Sequence, residues 1–584
     1  MKSSERTTPG KRLALGAGLL LVLSFSFGWV WLVGHRGLYL FDESIMFDGA
    51  WRIVQGQTVY RDFFIPFGPV AFFWQALIFR VAGVSVSSMV LAAATLSVLC
   101  TAVVVRLTWR LSSGSAVLSL ASGALTAVWY QAPFGIPWME QTAFFLNFCA
   151  LLAIVEGRLR ARPSGLLFAA AGLVSLASVL SKQNAGGFFV IVCLGALCVP
   201  ATGRGKAALK SILQYAAGAL VGALAFLLWL WRYSDVHTFL HYWLGVSSEL
   251  GLSRISYDRL LGALFYQPLT GSTVVLFAFS SLLGVAALWL GRALNLRGRP
   301  LPEQFWLCGW LAIALPQFQS LFQTTTFNES TNNNAQVGLC VACALALGLH
   351  FPWRELSLGW ERADRAVSMN LLGERLRRVA PVFVTIVVLM STVEGLVVAY
   401  SRTVQEFADG TTFAHHLDVK GAERVRWGEP TYTRANFCQG AASVCEISPQ
   451  PNAEHQALDV LRRQDFERVV RTLQERRENF FVFPDSTLLY GLAGRVSPQP
   501  LLYFHPGQSF SKADVGRLDA MIVASLEKHQ VSLVVLERAS FLGTQRRLSL
   551  FPKLEHWIRD HFQVSEEFGN YQLLARQRSA LTGL

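Results

Sequence analysis

Charged side chains are scarce in this chain. They make up 15% of 584 residues, where an average soluble domain carries roughly 25%. With 52% of the residues hydrophobic, that scarcity excludes a disordered chain and most soluble enzymes. Glycine-rich phosphate loops are missing after the candidate strands, so no nucleotide is assigned. The first loop contains no Asp-x-Asp, so no metal-dependent mechanism is indicated and no metal ligands are assigned. No internal repeat or low-complexity block is visible.

What is abundant is apolar sequence in long runs. A stretch of about 17 to 25 residues with few charges can cross the hydrocarbon core of a bilayer. Eleven stretches qualify, near 13–33, 86–105, 115–131, 140–156, 165–181, 184–200, 211–231, 272–291, 305–322, 336–352 and 380–400. The first follows Lys11 and Arg12. Its apolar core is too long for a signal peptide, and no convincing small-residue cleavage site follows, so it reads as a retained anchor.

The formal charge of +13 would suggest nucleic acid if it lay on one soluble face. It does not. With the N-terminus in the cytoplasm, the connectors on that side hold 21 Arg and Lys, while the opposite side holds eight before residue 401. This is the positive-inside pattern. Residues 401–584 carry 22 basic and 21 acidic residues, so the membrane part holds almost all of the excess. The basic balance is a topology signal, no nucleic-acid partner is expected, and an odd number of spans places 401–584 outside the cytoplasm. The expected organisation is a transmembrane domain over 1–400, with its first outer loop at 34–85, followed by an extracytoplasmic domain over 401–584.

That outer tail reads as a separate α/β domain. Helical spacing runs from Ala453 to Arg477, and the apolar run Phe480 to Phe483 then stops at Pro484-Asp485, as a buried strand entering a loop would. A second helix-like stretch at Lys512 to His529 precedes a strand at Val531 to Leu536. Helix then strand, twice over, favours a partly parallel sheet. A helix from Leu548 to His561 and a hairpin around Gly569-Asn570 complete it. Cys438 and Cys445 are the two cysteines of the tail. In an oxidising compartment they are expected to form a disulfide, the alternative being two unpaired thiols. Zinc is disfavoured because no histidine stands nearby at ligand spacing.

Candidate chemistry concentrates in the first outer loop. Asp42-Glu43 precedes Ile45, Phe47, Ala50, Trp51 and Val54, which recur with rough helical periodicity. The apolar stretch Pro69 to Val81 is too short to span and contains Arg80, which suits a helix lying in the membrane interface. An acidic pair at the membrane surface can supply a general base, the second carboxylate orienting the first. The competing reading makes Asp42 a solvated helix N-cap. Asp48 either shares the cavity or is an exposed helical carboxylate.

The pattern Asp42-Glu43, Ala50, Gly56, Tyr60-x-Asp62-Phe63, a Pro-rich turn and a short amphipathic helix ending in Gly83 resembles the first loop of GT-C fold glycosyltransferases. Within them it is most similar to the aminoarabinose-transferase and protein-mannosyltransferase branch and its bacterial relatives. The segments Phe483-Pro484-Asp485-Ser486, Leu489-Tyr490, Gly494-Arg495 and Phe504-His505-Pro506-Gly507 resemble the tail of those relatives. The resemblance implies a polytopic α-helical enzyme of about eleven spans in a bacterial inner membrane. Such an enzyme moves a sugar from a polyprenyl-phosphate lipid to a lipid, glycan or protein acceptor on the outer face, usually with inversion, and takes no cofactor beyond that donor.

On this sequence the implied catalytic pair is Asp42, as base, with Glu43. Lys182, in Leu180-Ser181-Lys182-Gln183-Asn184-Ala185-Gly186, is the candidate for the donor phosphate, with Gln183 beside it and Arg61 and Arg232 as possible helpers. A snorkelling lysine is the plainer reading. Glu140, after Gly135-Ile136-Pro137-Trp138-Met139, stands where relatives often have another functional acid, usually Asp. The outer loop expected from Gln317 to Gln336 is rich in amides and hydroxyls that suit sugar hydroxyls, and it lacks the Arg and His of relatives. Two other classes compete: a transporter or flippase of lipid-linked glycans, and a non-catalytic relative. The missing repeats and the few intramembrane charges weigh against transport.

Overall fold

The computed structural model describes residues 9–35, 40–131, 137–160, 162–199, 205–249, 255–267, 272–296, 301–326, 334–350, 393, 463–538, 540 and 544–577. Helices stand at ten of the eleven expected spans. The eleventh, 380–400, lies outside the described residues apart from 393. In chain order the first nine helices are α1 (Pro9–Gly34), α2 (Leu40–Val54), α3 (Val70–Ala82), α4 (Val86–Leu111), α5 (Ala116–Trp129), α6 (Met139–Arg158), α7 (Gly165–Val179), α8 (Gln183–Cys198) and α9 (Gly205–Tyr233). Helices Ser272–Leu296, Glu303–Thr325 and Val337–Leu345 follow.

Among the described residues, six helices are long and apolar enough to cross a membrane: α1, α4, α6, α9, Ser272–Leu296 and Glu303–Thr325. On α9, Leu220, Leu224 and Leu228 are each more than half exposed. An apolar helix with an apolar outer surface needs lipid as its solvent, and the chain is an integral membrane protein. Among the described residues, α5, α7, α8 and Val337–Gly348 are shorter apolar helices. At 1.5 Å per residue the 14 residues of α5 reach only about 21 Å. Apolarity alone does not reveal where a helix stops, and α7 and α8 stop at a break over Leu180–Lys182 that has work to do in the loop above it.

Small residues let neighbouring helices approach closely. A Cβ on Gly172 of α7 would stand 1.9 Å from the Tyr215 carbonyl oxygen of α9, and one on Gly218 of α9 would stand 1.8 Å from that of Ala169 on α7. The two glycines cross reciprocally, so either substitution would push the helices apart.

The described part of the tail is the α/β fold expected, with adjusted ends. Its sheet runs β1 (Phe480–Phe483), β2 (Leu533–Glu537), β4 (Tyr571–Arg576), β3 (Phe562–Phe568). β1 and β2 are parallel, with Phe480 opposite Leu533, and β3–β4 is the hairpin turned at Gly569. The helix expected from Ala453 is described only from Arg463 to Arg476. The stretch from Lys512 opens as a 3-10 turn and is α-helical over Val515–Lys528. The helix expected from Leu548 to His561 starts only at Pro552, with proline in its first turn, and a separate short helix, Thr544–Leu548, precedes it.

The described part of the α/β unit packs against the first loop through shared buried apolar clusters. Ile45, Met46, Phe63 and Phe64 pack in one cluster with Phe481, Phe483 and Leu501–Phe504. Phe47, Ala50, Trp51 and Phe79 pack in another with Leu488, Leu489 and Tyr490.

Candidate functional site

The site is built on α2. This helix is described from Leu40, so Asp42 and Glu43 stand inside it and Asp42 is not the N-cap. They lie toward its N-terminal end, which the helix dipole makes favourable for carboxylates. The Asp42 side chain lies outside the described part, while Glu43 is buried.

Asp48 is not exposed. It is fully buried, with Oδ2 accepting from Arg52 Nε at 2.9 Å across one helical turn. Burial pushes its carboxyl up to about 6 in spite of the guanidinium beside it. Its environment is the α/β unit, reached through Arg52.

After α2 the chain turns through Gly56 and Tyr60, both with positive φ. Asp62 stabilises this turn by accepting from Thr58 N at 2.7 Å, and it pairs with Arg61 at 2.8 Å. The Arg61 side chain is half exposed, so its charge is already answered by its neighbour and by water. Arg232 lies over the Tyr233 ring, 5.1 Å from its centroid.

Beyond the turn, Pro66–Val70 is clipped to the α7–α8 break. Gln183 Nε2 donates to the Pro66 carbonyl at 2.8 Å, and lies 3.1 Å from the Trp243 carbonyl and 3.2 Å from Ser247 Oγ. The Tyr60 hydroxyl donates to the Phe67 carbonyl. Gly68 passes so close to Leu180 that a Cβ would stand 1.6 Å from the Leu180 oxygen. No larger residue fits there without moving the loop.

This clip brings two of the sequence candidates together. Lys182 Nζ lies 3.1 Å from Glu140 Oε1 and 4.6 Å from the Phe67 ring centroid. The side chains keep 17% and 11% of their surface in contact with solvent. Glu140 comes from the first turn of α6 and Lys182 from the N-cap position of α8. Ser181 Oγ donates to the Met139 carbonyl at 3.0 Å and so ties the two helix ends together. The result is a carboxylate–ammonium pair beneath the first loop. A phosphate could exchange into it by displacing Glu140 from the lysine, since ammonium recognises either as a point charge.

The expected loop from Gln317 is corrected. Gln317, Gln323, Thr324 and Thr325 belong to helix Glu303–Thr325, which continues through Pro316. Thr324 and Thr325 turn their hydroxyls back onto Ser320 and Phe322 carbonyls. Gln323 Nε2 donates to Asn334 Oδ1 at 3.2 Å, and Asn184 Nδ2 donates to Thr325 Oγ1 at 2.8 Å. Residues 327–333 lie outside the described residues, as do Cys438 and Cys445. Among the described residues, no three His, Cys, Asp or Glu side chains are grouped as metal ligands.

Two residues with structural command of this region escaped the sequence reading. One is Arg52, whose signal was the four-residue spacing from Asp48. The other is Arg547, fully buried, which holds Asp485 through two contacts of 2.6 Å. Its partner lies 62 residues away, and no local pattern could announce it.

No protein family profile matches the sequence, and no match is found among curated proteins. Among solved structures, the chain is similar to ArnT from Cupriavidus metallidurans bound to undecaprenyl phosphate. That likeness has 12% identity and a TM-score of 0.47, covering 98% of this chain and 99% of that one. It is also similar to the Archaeoglobus fulgidus oligosaccharyltransferase tethered with an acceptor peptide, at 14% identity and a TM-score of 0.44, covering 97% of this chain and 74% of that one. Likeness to the S. cerevisiae protein O-mannosyltransferase Pmt1-Pmt2 complex bound to the sugar donor has 16% identity and a TM-score of 0.31. It covers 43% of this chain and 37% of that one.

Proposed function

We propose that this protein is a membrane glycosyltransferase of the GT-C type. It takes a sugar from a polyprenyl-phosphate lipid and passes it to a lipid, glycan or protein acceptor at the outer face of the membrane. The observation that carries this reading is the clip between the first loop and the α7–α8 break. It holds the loop that follows the Asp42-Glu43 helix against the partly accessible Lys182–Glu140 pair.

In the proposed reaction the acceptor hydroxyl oxygen attacks the anomeric carbon. The bond from that carbon to the phosphate oxygen breaks, and the lipid phosphate leaves with the electron pair. The hydroxyl proton passes to the Asp42 carboxylate, acting as general base. Lys182 answers the charge that develops on the departing phosphate. Attack opposite the leaving group inverts the anomeric centre. Gln183 holds the Pro66 carbonyl, so its part is to keep the loop over the lysine. The α/β unit lies on the outer side with the first loop, in keeping with the division of Arg and Lys between the connectors.

The test is transfer from a polyprenyl-phosphate sugar by purified protein carrying Asp42→Asn, at matched thermal stability. General-base assistance is worth roughly 10²–10⁴-fold, so turnover should fall by that factor while donor binding persists. Undiminished turnover would overturn the assignment. Movement of the intact lipid-linked sugar across vesicles, with no transfer, would establish the transporter class instead.

A further inference from the structure

Arg52 is buried without exposure, yet only one of its contacts is to a carboxylate. Nε donates to Asp48, Nη1 to the Gln499 carbonyl at 2.6 Å, and Nη2 to the Leu501 carbonyl at 3.1 Å. The guanidinium carbon also lies 5.5 Å from the Phe63 ring centroid. The fork therefore bridges α2 and an extended stretch of the α/β unit some 450 residues away in sequence.

The same stretch is held from several sides. Phe64 N donates to the Pro500 carbonyl at 2.9 Å, and Phe64 pairs with Leu501 as a β-bridge. Trp51 Nε1 donates to the Arg495 carbonyl at 2.6 Å. Gln499 folds its own side chain back, accepting from Leu501 N at 2.5 Å. Within the α/β unit, Thr487 Oγ1 donates to the Leu502 carbonyl at 2.9 Å, and Arg547 Nη1, which also holds Asp485, donates to the Phe504 carbonyl at 3.3 Å.

Stability alone does not explain the arrangement. A buried ion pair is often matched or bettered by apolar groups of the same volume, and the neighbouring clusters already supply apolar packing. A planar fork aimed at two backbone carbonyls adds direction, which apolar packing lacks. We infer that the α/β unit acts as a clamp on α2, and that Arg52 is a positioning residue setting where that helix presents Asp42 and Glu43. The catalytic side of this inference rests on the proposed glycosyl transfer. The clamp itself does not.

The experiment is a double-mutant cycle in the full chain with Arg52→Lys and Gln499→Ala. Lysine keeps the charge for Asp48 but cannot fork across two carbonyls. Gln499→Ala loosens the gripped stretch and leaves α2 untouched. A misplacement of about 1 Å can cost on the order of 10²-fold in rate. Arg52→Lys should therefore lower kcat by about 10–100-fold at nearly constant KM for the donor, and Gln499→Ala should lower it by a smaller factor of the same kind. Because both cut one connection, the double variant should be little worse than Arg52→Lys.

Additive losses, or unchanged kcat in folded variants, would overturn the inference. Hydrogen exchange across residues 40–54 supplies the arm that does not need activity. Faster exchange there in Gln499→Ala supports the clamp, and unchanged exchange refutes it. If the unmodified protein shows no sugar transfer, the proposed function fails while this second measurement still decides the clamp.

Discussion

Two ion pairs, one within the first loop and one beside it, have surroundings that could hardly differ more. Lys182–Glu140 joins two helix ends, keeps part of its surface accessible and carries one carboxylate contact at 3.1 Å. Asp48–Arg52 lies within one helix, is sealed from solvent, and is tied further to backbone carbonyls of a distant segment. An accessible pair can exchange one partner for a ligand at low cost. A sealed pair cannot, because losing either member leaves a charge in low dielectric. The first arrangement suits chemistry and the second suits architecture.

Replacing the sealed cation should give the largest effect on folding. Arg52→Met leaves Asp48 buried and unpaired, and such removals typically cost about 3–5 kcal/mol. Chemical or thermal unfolding of the purified protein in detergent should show that loss. A change well under 1 kcal/mol would erase the distinction between the pairs. Lys182→Met should do the opposite, lowering transfer by about 10²–10³-fold, as for removal of other transition-state donors, with a melting temperature close to the parent. If the variant instead unfolds and the folded fraction transfers normally, the accessible pair is architectural too.

A third buried group extends the comparison to pH. Burial, aided by the Asp485 charge, pushes the Glu537 carboxyl up to about 7, above its ordinary 4.5. The folded state then binds the proton more tightly than the unfolded one. Stability from this group is fully present below about pH 4.5 and is lost as pH rises through about 7. The loss is on the order of 3 kcal/mol. Glu537→Gln should flatten the stability profile between pH 5 and 8, and an unchanged slope would rule the group out as its source. The smallest effect is expected at Arg61, whose exposed pair with Asp62 is screened by water. Arg61→Ala should alter transfer by no more than about twofold. A large loss would move this arginine into the machinery.

Much of the architecture was legible because membrane helices and amphipathic elements depend on local patterns. Apolar runs marked ten helices, and helix–strand alternation in the tail anticipated the parallel β1–β2 pair and the β3–β4 hairpin. The break after α7 was visible as Ser181-Lys182-Gln183-Asn184, which suggested chemistry at that point. The helix through Pro316 to Thr325 was missed because its polar residues looked like a loop. They are instead paid for by hydrogen bonds to neighbouring helices and to their own turns.

By itself, then, the sequence determined the class of molecule, the positions of most helices, the order of elements in the tail and the candidate status of Asp42, Glu140 and Lys182. Each depends on a residue's own chemistry or on neighbours within a few turns. Only the tertiary structure decided that Glu140 meets Lys182, that Asp48 is sealed against Arg52, and that Arg52 reaches the Gln499 and Leu501 carbonyls of the α/β unit. The first and the last of these bring together groups separated by about 40 to 450 residues. Which distant partner satisfies a buried charge is settled by the packing of the whole chain, because the cost of leaving it unpaired falls due only when the surrounding water has gone.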